Sequence, residues 1–180
     1  MSLYAERKQY AQPPEGMWPA VCVDVVDLGL EASPWGDLHK IRIVWELACK
    51  MEDGRPFTAG AKYTLSLGEK ANLYKILKSW RGNKDFTADE LRKFDVENVI
   101  GKSCQLVITH TEKEGNIYGN VTAVLKPDPK NALKPSGKYT RVINREGSQP
   151  PRTKATPGDA YEKPATRGPD DPHPDPTIDW

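Results

Sequence analysis

"YTLSLGEKANLYKILKSWRG" (63–82) begins as one kind of element and ends as another. Tyr63, Leu65 and Leu67 alternate with polar residues, the period of a strand with one buried face. Leu73, Ile76, Leu77 and Trp80 then recur at helical spacing. Ser66 and Glu69 stand three residues apart, as in a capping box, and Gly82 supplies a helix stop. A strand therefore feeds a helix at this point.

Strand patterns also flank this stretch. "MWPAVCVDVVDLG" (17–29) reads as a strand with Val21, Val23 and Val25 on one face and Asp24 towards solvent. "LEASPWGD" (30–37) reads as a loop. "LHKIRIVWELA" (38–48) alternates Ile41, Ile43, Trp45 and Leu47 with Lys40, Arg42 and Glu46. "EDGR" (52–55) marks a turn before a third strand, "TAGAKYTLSL" (58–67). Beyond the helix, Thr87 and Glu90 in "TADELRKF" repeat the capping-box spacing for a second short helix. "SCQLVITH" (103–110) and "IYGNVTAVL" (117–125) form a last hairpin across "TEKEGN" (111–116).

The order β-β-β-α-β-β, mainly β with one or two short helices, is the plan of the five-stranded OB-fold barrel. An open α+β sheet and a sandwich are the competing arrangements. Trp45 and Trp80 follow the apolar periodicity into the core, and Trp18 beside Pro19 suits the barrel mouth.

The 180 residues carry a net charge of only +1, arranged in blocks. Residues 1–125 are net −1, residues 126–168 net +6 and residues 169–180 net −4. Eleven of the 16 prolines lie beyond residue 125, where aliphatic residues are sparse and ordering entropy is hard to offset. The organisation expected is an N-terminal arm (1–14), an OB-fold domain (15–126), a basic Pro-rich disordered linker (127–168) and an acidic tip (169–180).

Neither an 18-residue apolar run nor a signal-like N-terminus appears, so a soluble, intracellular protein is expected. Cys22, Cys49 and Cys104 read as reduced core thiols. His39, His110 and His173 are not spaced as metal ligands, and neither a P-loop nor a Gly-X-Ser-X-Gly elbow is present. Asp24 and Asp27 suit a solvated strand edge better than a metal. The expectation is a protein without catalytic residues, metal or cofactor.

Single-strand binding by such a barrel needs rings for bases and cations for phosphates. Candidate cations are Lys40, Arg42, Lys62 and Lys113, and candidate rings are Trp35, Phe57, Tyr63 and Tyr118. Trp35, held between Pro34 and Gly36, has little to bury it. Tyr63 suits core and ligand equally. Lys40 and Arg42 also have a plainer reading as a solvated strand face.

The chain ends "GPDDPHPDPTIDW" (168–180), four acids and four prolines leading to a terminal indole. An OB domain, a Pro/Gly-rich linker and an acidic tip with an aromatic end together resemble single-stranded DNA-binding proteins of bacteria and their phages. That resemblance implies a tip that recruits replication and repair partners. Asp170, Asp171, Asp175 and Asp179 would approach a basic surface, Trp180 would enter an apolar pocket, and Ile178 would add a second apolar contact. The family's usual ending is Phe, and its acids are not spaced by Pro. The stretches "PEGMWPAVCVDVVDLG", "YTLSLGEKANLYKILKSWRG" and "FDVENVIGKSC" (94–104) are similar to small phage and prophage proteins of the replication–recombination type. The function implied is sequence-tolerant protection of single-stranded DNA and recruitment of partners in phage replication or recombination. Self-association is compatible with it. The alternatives are a protein-binding adaptor or inhibitor of a host factor built on the same barrel, and more remotely a virion or assembly protein.

Overall fold

The structure, a computed structural model, describes residues 11–147. Five antiparallel strands form one sheet in the order β3-β2-β1-β4-β5: β1 Gly16–Ser33, β2 Gly36–Lys50, β3 Pro56–Thr64, β4 Ser103–Lys113 and β5 Asn116–Leu125. Helices α1 (Asn72–Trp80) and α2 (Ala88–Arg92) lie between β3 and β4. The edge strands β3 and β5 meet, so the sheet curls into an OB-like barrel.

Curling depends on β1, which pairs with β4 from Gly16 to Val21 and with β2 from Ala20 to Ser33. Two register breaks, between Cys22 and Asp24 and between Asp27 and Gly29, let it bend. The first break reverses which side chains point inward. Ala20 and Cys22 belong to the core before it and Val25 packs against the core after it, whereas Val21 and Val23 are buried outside the main cluster. The three valines therefore do not share a face, because a bulge shifts an alternating pattern by one.

The barrel fills with Ile41, Ile43, Trp45 and Leu47 of β2, Ala59 of β3, Cys104, Leu106 and Ile108 of β4, and Val124 of β5. Helix α1 adds Leu73, Leu77 and Trp80. The Trp80 ring lies 6.1 Å from that of Trp45, and its Nε1 donates to Ser103 O at 2.6 Å. Gly82 ends the helix as expected. At φ +75° its N–H donates to Ser79 O, and Asn83 N donates to Lys78 O, a Schellman closure.

Of the two capping boxes, only Thr87/Glu90 forms: Glu90 N donates to Thr87 Oγ1, and Thr87 N to Glu90 Oε2. Helix α1 starts later than Ser66 implied, with Ala71 at its N-cap and no side-chain cap, while Ser66 Oγ accepts from Gly68 N. The residues expected to be a loop, 30–37, instead continue β1 and β2 to a two-residue turn, Pro34–Trp35. Ser33 Oγ stitches that turn, donating to Gly36 O and accepting from Trp35 N. The turn between β4 and β5 is Glu114–Gly115, with φ +54° and +74°.

Residues 11–15 close one end. His110 Nε2 donates to Pro13 O at 2.7 Å, Gly119 N donates to Gln12 Oε1, and His110 N donates to Glu15 Oε1. Trp18, half-buried, donates from Nε1 to Pro14 O.

The three cysteines are free, and Cys22 and Cys104 are buried. Burial pushes the Cys22 thiol up to about 12 and also raises Cys104 and Tyr63. Unfolding returns Cys22 to its ordinary value of 9.0. The stabilisation from keeping it neutral is therefore complete below pH 9 and is lost as pH rises towards 12. Urea midpoints between pH 7 and 11 should hold up to about pH 9 and fall beyond it; an unchanged midpoint at pH 11 would contradict this picture of the core.

Candidate nucleic-acid interface

The inward residues of β2 and β3 leave Lys40, Arg42, Val44 and Glu46 to point outward, opposite Thr64, Lys62, Gly60 and Thr58. Arg42 and Lys62 are direct cross-strand partners. Lys40 stands one alternation further along and donates from Nζ to Thr64 Oγ1 at 2.8 Å. Arg42 has no hydrogen-bond or ion-pair partner among the described residues. A Cβ at Gly60 would come within 3.3 Å of Arg42 Nε, so the glycine lets the side chain lie across β3. Lys62 Nζ pairs with Glu31 Oε2 at 3.0 Å, holding that exposed carboxyl below its usual range.

Trp35 occupies the tip of the β1–β2 arm and is 62% exposed. The arm outruns its neighbour, because pairing of β2 with β3 stops at Lys40 while pairing with β1 continues to Gly36. Its exposed apolar side chains include Leu28 and Leu30. At its base Asp27 Oδ1 meets His39 Nε2 at 2.6 Å and accepts from Gly29 N at 2.8 Å.

The other expected site residues separate. Lys113 and Tyr118 lie on the β4–β5 hairpin, exposed and opposite Asn116 and Thr111 respectively. Phe57 and Tyr63 share the inward phase of β3 and pack against the core. They serve the barrel's interior, which leaves Trp35 and Tyr118 as the exposed rings of the expected set. Asp170, Asp171, Asp175, Ile178, Asp179 and Trp180 lie outside the described residues.

The strongest polar constellation involves residues read as solvent-facing. Asp24 is 1% exposed and Glu46 4%. The cover over both is the chain beyond β5. Residues 127–147, expected to belong to a disordered linker, run back along the barrel as a strap, so the folded unit extends past residue 126. Ser103 Oγ donates to Leu133 O; Ser136 donates to Glu46 through N at 3.0 Å and Oγ at 2.8 Å. Asp24 accepts from Val142 N at 2.8 Å, Arg141 Nε at 3.0 Å and Tyr139 OH at 3.3 Å. Arg141 also reaches Glu97 at 2.7 Å, tying the strap to the 3-10 turn Val96–Val99.

The strap was hidden because the two carboxylates it covers lie 90 or more residues away in sequence. One signal was available: Tyr139, Val142 and Ile143 interrupt an otherwise Pro- and Lys-rich stretch. Among the described residues, no three His, Cys, Asp or Glu side chains gather as a metal site, and no helix is long and apolar enough to cross a membrane.

No family model matches the chain, and no curated protein matches it.

Replacing Asp24 removes the acceptor that Arg141 Nε, the Tyr139 hydroxyl and the Val142 amide share. Asp24→Ala should cost about 2–4 kcal/mol in urea unfolding and speed trypsin cleavage at Lys138, Arg141 and Arg145. Native-like stability and cleavage would show that the strap is not held by Asp24.

Proposed function

We propose that this chain is a non-enzymatic, sequence-tolerant single-stranded DNA-binding protein of phage or prophage replication or recombination. The observation that carries the reading is the outward row Lys40, Arg42 and Lys62 on β2–β3 of an OB-like barrel. That face is where this fold commonly holds oligonucleotides. Arg42 is free to meet a phosphate, and a nearby arm offers an exposed indole at Trp35 for a base. Single strands present unstacked bases to such rings, whereas a duplex hides them. The segment expected to recruit replication or recombination proteins is the acidic tip at 169–180. Its carboxylates compete with phosphate for the same cations, so removing it should leave DNA affinity equal or higher.

A protein-binding adaptor on the same barrel is favoured by one observation, the exposed Leu28 and Leu30 along the β1–β2 arm. The two readings part on oligonucleotide binding.

Titration with oligo-dT at low salt should quench Trp35 fluorescence, and a duplex of equal length should bind more weakly. Arg42→Ala should weaken binding and reduce the slope of log affinity against log salt by about 0.7. Glu31→Gln, which frees Lys62 from its carboxylate, should strengthen binding. Absence of any fluorescence or mobility change with oligo-dT would overturn the reading in favour of the adaptor.

A further inference from the structure

We infer that the strap completes the DNA-binding face, with Arg145 of the strap and Arg42 of β2 forming a two-guanidinium phosphate clasp. The inference rests on the proposed single-strand binding and adds a second half to its site, supplied by residues that sequence placed in a linker.

Position comes first. A loose basic segment contributes only diffuse charge, but this one is latched at two points, on Glu46 through Ser136 and on Asp24 through Tyr139, Arg141 and Val142. Both carboxylates belong to the outward phase of β1 and β2, the side that carries Arg42. Asp24 pairs with Val44 and Val26 with Arg42, so Arg42 lies one alternation along the outer face from the carboxylate that Tyr139 touches.

Orientation comes next. The Arg145 guanidinium carbon sits 5.3 Å from the centre of the Tyr139 ring, and its Nε donates to Thr140 O at 3.1 Å. The cation–π contact and that one bond hold the guanidinium beside the ring. The two terminal nitrogens of Arg145, and the whole Arg42 guanidinium, have no hydrogen-bond or ion-pair partner among the described residues. The Tyr139 phenol registers both cations: burial and Asp24 raise it, while Arg145 and Arg42 pull it down.

Asp24, which accepts from the Tyr139 phenol, is buried and already answered by Arg141 and the Val142 amide. Arg42 and Arg145 therefore both carry guanidinium nitrogens that no described carboxylate engages, on the face where Tyr139 latches the strap, an arrangement that a phosphodiester satisfies.

The test uses the full chain and anisotropy of a labelled oligo-dT at several salt concentrations. Arg145→Ala should weaken binding several-fold and lower the salt slope by about 0.7, with thermal stability unchanged. Arg145→Lys should keep the slope while losing part of the affinity, because a point charge replaces a fork. Lys130→Ala removes the same charge near the start of the strap and should leave the slope as it is. Native affinity and slope in Arg145→Ala overturn the clasp. So does an equal loss in Lys130→Ala, or a loss of affinity with unchanged slope and lowered melting temperature. If Arg42→Ala still weakens binding in those cases, the barrel face survives without the strap; if the native chain does not bind at all, both fail.

Discussion

Two carboxylates that water cannot reach shape the surface of this protein. Leaving Asp24 and Glu46 unanswered under the strap would cost several kcal/mol each, because a buried charge keeps the penalty of lost hydration. Each is answered by backbone N–H and side-chain donors from residues 136–142. The dependence is mutual. The strap holds little apolar surface of its own, so its course over the barrel is set by where those carboxylates stand. A segment with the composition of a linker thereby becomes part of a surface.

The placement of Asp24 follows from the bend in β1. Its register break turns Asp24 outward beside Val44, on the face shared by Arg42 and Glu46. The same break lets one strand serve both halves of a barrel that α1 fills with Leu73, Leu77 and Trp80. Strand bending and strap docking thus meet at the break between Cys22 and Asp24, with the second break, between Asp27 and Gly29, adding to the bend. The cationic row on β2–β3 and the arm carrying Trp35 are set on that frame.

Much of this was legible in the residues. The change of period within 63–82 located the helix between the third and fourth strands, and with it the barrel. Alternation in 38–48 separated Ile41, Ile43, Trp45 and Leu47 from Lys40 and Arg42, and paired Lys62 follows from the antiparallel register. Local rules failed where two answers were locally equal. Ser66/Glu69 and Thr87/Glu90 have the same spacing, yet only the second forms a box, because α1 begins where Leu73 and Leu77 reach the core. A bulge leaves no mark in an alternating valine run, so Val21, Val23 and Val25 looked equivalent. Tyr63 was balanced between core and ligand until its register opposite Ile41 turned it inward. Asp24 and Glu46 carried no local sign of burial, since what covers them arrives a hundred residues later.

On the proposed function, barrel face and strap act as one surface towards single strands. Backbone amide chemical shifts of the full chain, recorded by NMR during titration with oligo-dT, address it directly. The expected result is a continuous set of shifted amides at 40–42, 60–64 and 139–145, together with the β1–β2 tip around Trp35. Shifts confined elsewhere on the barrel, or none along the strap while β2 and β3 respond, would contradict it.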